Sequence, residues 1–289
     1  MHWPGPGIVT DQPEPGRASS VRWDARLGLG LERRGDRTVL ARRSRFGPLA
    51  VQRAFYPEGG PCHLYLLHPP GGVVGGDRLR IEAEVASGAH GLLTTPGAAK
   101  LYRSAGTEAE VTQWLRVVDG GVLEWLPQET ILFLAARAKI RTQIALEGAA
   151  RFIGWDVVSL GRPVIGERFD RGHLDLHLAV HRDGRPLLME RLRVDDGHGL
   201  DGPSGLRGLP VMGTLIASGA TTAAVDAVHA MLPAPREMPA GVTLLDDLLV
   251  VRALAWRCEP VMGLFRSCWR TLRPALLGRP ANAPRVWAT

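Results

Sequence analysis

The chain reads as a predominantly all-β protein, a single β-rich domain over residues 21–289 that carries two α-helices near its C-terminus. Three observations predict this. From residue 21 to about residue 213 the apolar residues fall in short or alternating runs, each closed by Gly, Pro or Asp-Gly, which is the pattern of strands joined by tight turns. Helical periodicity enters only after Thr221. No repeat of fixed period and no long linker divides the chain, so its 289 residues are expected to share one core.

Residues 1–16 hold four prolines and three glycines and no apolar stretch. Such a composition cannot bury enough surface to offset the entropy of ordering, so residues 1–20 are expected to form a disordered leader and not a secretory signal. Strands are expected over residues 39–45, 62–67, 79–85, 110–117, 121–125 and 139–146, with Asp119-Gly120-Gly121 as a tight turn. Residues 173–181 alternate cleanly. Leu174, Leu176, Leu178 and Val180 point one way, while His173, Asp175, His177 and His181 point the other. Arg182-Asp183-Gly184-Arg185 then makes a hairpin turn into a strand over 186–194.

The first helix, over residues 221–232, places Ala224, Val225, Val228, Met231 and Leu232 on one stripe, with Thr221 or Thr222 as its N-cap and Pro233 as its end. A strand over 243–254 follows. Glu259-Pro260 opens the second helix, whose Val261, Leu264, Phe265, Cys268 and Leu272 share a face. Pro274 disfavours helical backbone at Arg273 and is expected to stop the helix there.

Composition excludes several classes. No apolar run approaches the roughly 18 residues of a membrane span. The cysteines, Cys62, Cys258 and Cys268, form no CxxC pair and are odd in number, which suits reduced thiols in the cytoplasm better than a disulfide framework or a zinc site. The formal charge is +6, but acidic residues are interleaved with basic ones and no basic stripe or nucleic-acid module is present, so the charge fits an acidic protein partner better than DNA or RNA. Only Lys100 and Lys139 are lysines; the remaining positive charge is arginine, suited to planar, bidentate contacts.

Chemistry concentrates in loops. His68-Pro69-Pro70-Gly71-Gly72-Val73-Val74-Gly75-Gly76-Asp77 fixes φ at two prolines, frees it at four glycines and ends on a carboxylate. It is no phosphate loop, since it lacks the Lys and hydroxyl of the P-loop pattern and runs into a strand, so GTP is not expected to bind this chain. His173, His177 and His181 would align on a helix; on a strand, neighbours stand about 13 Å apart, too far for one ion, and a solvated strand face is the simpler reading. The carboxylates Asp77, Glu129, Asp156 and Glu167 each sit beside a turn former or an aromatic residue. Paired acids on a β scaffold also serve glycoside hydrolases, so a carboxylate-based hydrolase stays open as the alternative.

The Gly-rich loop, Thr94-Thr95-Pro96-Gly97-Ala98-Ala99-Lys100-Leu101-Tyr102-Arg103-Ser104, Leu123-Glu124-Trp125-Leu126-Pro127-Gln128-Glu129-Thr130-Ile131, Leu160-Gly161-Arg162-Pro163, Glu190-Arg191-Leu192-Arg193, Leu209-Pro210-Val211-Met212-Gly213-Thr214-Leu215 and the tail from Leu272 onward occur in the order seen in one family. In these blocks the chain resembles the UreD (UreH) family of urease accessory proteins. The resemblance implies a β-helix-like fold and a non-enzymatic chaperone. Such a protein binds apo-urease, joins accessory protein F and the GTPase accessory protein G in a dimeric hetero-complex, and helps deliver nickel to the urease site. It also implies no tightly bound cofactor, only Ni²⁺ in transit, with GTP held by the partner. A conduit needs ligands weak enough to release the ion, and oxygen donors meet that condition where imidazole and thiolate do not. Guided by the resemblance, Asp77, Thr94, Thr95, Glu129, Asp156 and Glu167 are expected to line an internal polar tunnel.

Overall fold

A computed structural model describes residues 23–288; the expected leader, residues 1–20, lies outside them. The chain winds as a flattened coil that lays strands alternately into two sheets. It opens in the first sheet with β1 (Asp24–Arg34) and β2 (Arg37–Phe46), then crosses by β3 (Ala50–Val51) to β4 (Cys62–Leu67) in the second. Three turns of the coil follow. β5 (Arg78–Val85) leads to β6 (His90–Thr94), and after the short β7 (Ala99–Leu101), β8 (Ala109–Val117) leads to β9 (Val122–Leu126). After β10 (Thr130–Leu132), β11 (Arg137–Leu146) leads to β12 (Arg151–Arg162). Then come β13 (Glu167–Arg168), the hairpin β14 (His173–Arg182) and β15 (Arg185–Asp195), and β16 (Val211–Ser218). Helix α1 (Thr222–His229), the hairpin β17 (Ala240–Leu245) and β18 (Leu248–Ala255), and helix α2 (Cys258–Leu277) complete it. The first sheet has the order β15-β14-β11-β8-β5-β1-β2, and the main path of the second is β17-β18-β16-β12-β9-β6-β4-β3.

Corner length keeps the coil in register. Residues 86–89, 118–121 and 147–150 join the sheets by segments of equal length. Each corner donates a backbone N–H to the rung before it: Ala86 to Leu31 O (2.9 Å), Val118 to Val85 O (2.9 Å) and Glu147 to Val117 O (3.0 Å). Gly88, Gly120 and Gly148 hold the positive φ these corners require. The loops that return the chain from the second sheet to the first gather at the opposite end. This arrangement is β-solenoid-like, as the resemblance implied, and the all-β class with two late helices holds.

Two cores result. Leu27, Leu29, Leu31, Ala83, Leu115, Ile140, Phe152 and Leu174 fill the space between the sheets. Ile153, Trp155, Val157, Leu215 and Val251, on the outer face of the second sheet, pack with Val261, Phe265, Cys268 and Trp269 of α2. β12 therefore buries both faces, and its near-continuous apolar run concealed it as a strand; β1 and β16 were likewise unexpected.

Three expectations need correction. Pro274 does not stop α2, which runs to Leu277 and ends where Gly278, at φ 63°, donates its N–H to Pro274 O (3.1 Å). The proline falls in the last turn, where it forfeits one backbone hydrogen bond, and the buried anchoring of Arg273 offsets that loss. The strand expected over 243–254 is the hairpin β17–β18, turned at Asp246 with φ 52°, a conformation Asp tolerates. The polar face of β14 is only partly solvated: His173 and Asp175 are buried, His173 Nδ1 pairs with Asp195, and Asp175 Oδ1 accepts from Arg191 Nε (2.7 Å). The thiols of Cys62, Cys258 and Cys268 are free.

Candidate functional site

Strands β8, β11, β12, β15, β16 and β18 each place a polar residue between two apolar ones in the phase that faces between the sheets. They are Gln113 between Val111 and Leu115, Thr142 between Ile140 and Ile144, Asp156 between Gly154 and Val158, Glu190 between Leu188 and Leu192, Thr214 between Met212 and Ile216, and Arg252 between Val250 and Leu254. Strand register puts them at one level. In the second sheet Asp156 pairs with Thr214, and Thr214 with Arg252. In the first sheet Gln113 pairs with Thr142, Thr142 with Leu178, and Leu178 with Glu190.

The row is bonded across the interior. Thr142 Oγ1, 1% exposed as a residue, lies 2.9 Å from Gln113 Oε1 and 3.0 Å from Asp156 Oδ2. Its single hydroxyl hydrogen serves one of these, and the Gln113 amide, turned over, supplies the other bond. Burial pushes the Asp156 carboxyl above its ordinary pKa, against the opposing effect of Thr142. Further out, Thr214 Oγ1 is 3.4 Å from Glu190 Oε2, and Arg252 Nε donates to Glu190 Oε1 at 2.5 Å. There the row opens into a cleft of about 820 Å³ lined by Asp156, Leu178, Glu190, Thr214 and Arg252.

The other sequence-expected residues lie elsewhere. Asp77, Thr94, Thr95, Glu129 and Glu167 all stand at the loop end of the coil, on successive rungs stacked by backbone bonds such as Val73 N to Lys100 O (2.8 Å) and Ala99 N to Glu129 O (2.9 Å). Asp77 is buried and accepts from Trp23 N (3.1 Å) and Val74 N (3.0 Å), tying down both sides of the Gly-rich loop. Thr94 donates to Leu126 O (2.6 Å) and accepts from Trp287 Nε1 (3.1 Å), while Thr95 Oγ1 accepts from Gln128 N (2.9 Å). Glu129 borders a smaller cleft of about 330 Å³ with Cys258, Glu259 and Arg266. Glu167 accepts from Arg162 Nε (3.0 Å) and Leu134 N (3.1 Å), and the Arg162 hydrogen bond holds its carboxyl below the usual range. Asp156 alone of the six lies between the sheets. Among the described residues no hydrogen bond joins any two of the six, and no group of three His, Cys, Asp or Glu side chains is arranged to hold a metal ion.

Sequence reasoning missed Gln113, Thr142, Glu190, Thr214 and Arg252 as site residues. The signal was present as a polar residue flanked at i−2 and i+2 by residues of an apolar alternation, repeated in six strands.

A second constellation ties α2 to the coil. Glu124, fully buried, accepts from His90 Nε2 (2.6 Å), Trp269 Nε1 (2.6 Å) and Arg273 Nε (3.0 Å). Arg273 also donates to both oxygens of Glu58 (2.8 Å each) and to Pro280 O, and Glu58 pairs with His63 Nε2 (2.7 Å). Burial works to raise both carboxyls, but the hydrogen bonds and charges of His63, His90 and Arg273 prevail; Glu58 falls to about 2 and Glu124 also lies below its ordinary value. With both carboxylates and the Arg273 guanidinium fully engaged, and His63 Nδ1 left without a partner among the described residues, this cluster reads as a structural clamp.

Comparison with known proteins follows the same lines. Residues 24–288 match the family described as UreD urease accessory protein. The chain is 48% identical over 272 residues to a urease accessory protein UreD from Alcanivorax borkumensis, covering 92% of each chain. It is 49% identical over 279 residues to one from an Azoarcus species, covering 94% of this chain and 96% of the relative. A Pseudomonas putida protein of the same name is 46% identical over 267 residues, covering 92% and 95%.

Proposed function

The chain belongs to the UreD urease accessory protein family, and from that premise we propose that it carries Ni²⁺ in transit to apo-urease through the polar row between its sheets. Its role lies in urease maturation, as an accessory protein and not as an enzyme, which leaves the hydrolase alternative without support. In this reading it acts in the cytoplasm within a dimeric hetero-complex with accessory protein F and the GTPase accessory protein G, the nucleotide being held by the partner.

One observation carries the proposal: the oxygen-bearing side chains of Gln113, Thr142, Asp156, Thr214 and Glu190 stand at one level in a largely apolar sandwich and lead to a cleft. Packing alone does not call for such a row, since apolar side chains fill a core with no polar group to desolvate. A divalent cation in transit does have a use for it. Carboxylate, hydroxyl and amide oxygens bind Ni²⁺ weakly enough to release it, whereas imidazole and thiolate would hold it. Asp156 is the central ligand, and burial raises its pKa, so the fold disfavours its ionised form in the absence of a cation. Asp77, Thr94, Thr95, Glu129 and Glu167 belong to the proposal as positions at the loop end of the route, each to be tested singly.

The test replaces Asp156 with Asn, which keeps shape and removes charge. Pull-down of accessory proteins F and G and apo-urease should match the unmodified chain, while nickel content and activity of urease matured in the same cells should fall several-fold. Full nickel loading by Asp156→Asn defeats the conduit; loss of loading together with loss of binding makes Asp156 an interface or folding residue.

A further inference from the structure

The outermost member of the polar row is a cation. Arg252 sits on β18 in register with Thr214, which is in register with Asp156. Its guanidinium is held by Glu190, through Nε at 2.5 Å and through Nη2. The exposure gradient orders the row from the cleft inward: the side chains of Arg252 and Glu190 are 46% and 25% exposed, while the residues Thr214 and Thr142 are 5% and 1% exposed. Arg252 therefore stands at the mouth, and it occupies a carboxylate that an entering or leaving ion would need.

We propose that Arg252 is a tethered cation that closes the cleft mouth of the polar row by neutralising Glu190, and that its displacement unmasks a divalent-cation site on Glu190, Thr214 and Asp156. The inference rests on the conduit reading and deepens it by naming how that route is regulated. Two physical points favour a lock over a plain salt bridge. An ion pair this exposed contributes little net stability, so an incoming cation or a docking partner can break it without disturbing the fold. A fixed guanidinium a few ångströms from the same carboxylate also opposes a second cation through like-charge repulsion, which has force at the mouth of a low-dielectric interior.

The test titrates Ni²⁺ into the full chain and follows it by calorimetry. Arg252→Gln should bind Ni²⁺ about tenfold more tightly than the unmodified chain at a site of one ion. Arg252→Lys, which retains the charge, should not. Arg252→Gln combined with Glu190→Gln should lose the gain. Thermal melts of each variant check that the fold is kept, which the exposure of Arg252 favours. Unchanged affinity in Arg252→Gln overturns the lock, and so does a gain that survives Glu190→Gln, because the ion would then sit elsewhere. Urease maturation with the same variants separates this from the conduit. A nickel gain in Arg252→Gln alongside full loading by Asp156→Asn keeps the lock and removes the conduit. Reduced loading by Asp156→Asn with no gain in Arg252→Gln does the reverse.

Discussion

Arg273 illustrates how one residue can fix a C-terminus. Its guanidinium is fully buried between Glu124 and Glu58 and also reaches Pro280 O, so three distant segments meet on one side chain. Removing one partner of a buried ion pair leaves the other charge uncompensated, so Arg273→Met should cost about 3–5 kcal/mol, read as a lower urea midpoint. Adding Glu124→Leu and Glu58→Gln should recover part of that loss, since the remaining buried charges are then gone. One carboxyl of this cluster and one on β14 set an acid limit. Glu58 and Asp175 both fall to about 2 in the folded chain, from 4.5 and 3.8. A depressed carboxyl stabilises fully above its unfolded value and loses that contribution as pH falls through its folded value. Acid unfolding should therefore draw on these groups between about pH 4.5 and about pH 2, and Glu58→Gln should flatten that part of the stability profile. Asp156 has the opposite sign. Its pKa is raised, so its ionised form costs stability at neutral pH, and Asp156→Asn should melt at or above the temperature of the unmodified chain while delivering less nickel. A drop in melting temperature would mark Asp156 as structural.

At the level of elements, α2 sits close on the second sheet because β16 has a glycine under it. A Cβ on Gly213 would lie 2.6 Å from Val261 Cγ1 and 2.7 Å from a ring carbon of Phe265. Gly213→Ala must push the helix outward or bend it, and should cost about 1–3 kcal/mol. Gly263, on the same helix but with open space before it, gives the control: Gly263→Ala should be neutral or stabilising, through helix propensity. Equal losses at both positions would mean that helix–sheet contact distance is not what Gly213 provides. Helix α1 contributes less, with Ala224 and Val228 its only buried residues.

For the molecule as a whole, the two cores share the second sheet as a common wall. Ending the chain after Glu259 strips Val261, Met262, Leu264, Phe265, Cys268, Trp269 and Leu272 from that wall. At about 1.5–3 kcal/mol for each large apolar side chain, the loss is on the order of 10–20 kcal/mol, as large as the roughly 5–15 kcal/mol that holds a typical domain together. The truncated chain should be insoluble or unfolded, checked by soluble yield and circular dichroism. A soluble, folded fragment would show that the coil stands without its helices. Among the described residues no helix is long and apolar enough to cross a membrane.

Alternation in the chain was enough to determine the β class, most strands of the first sheet, the hairpin at Asp183-Gly184 and the late helices, because those signals are local: side chains alternate with period two on a strand and recur every 3.6 residues on a helix. The ordered motif blocks were enough to place the family. Strands buried on both faces, such as β12, lose their alternation, and Pro274 acts through a penalty that tertiary contacts outweigh. The polar row belongs to the other category. Gln113, Thr142, Asp156, Glu190, Thr214 and Arg252 are visible one by one as polar breaks, yet they span residues 113–252. Only the equal corners of the coil and the register between its strands bring them to one level. A strand's period says which way a side chain points; what it meets there is decided by segments far away in sequence.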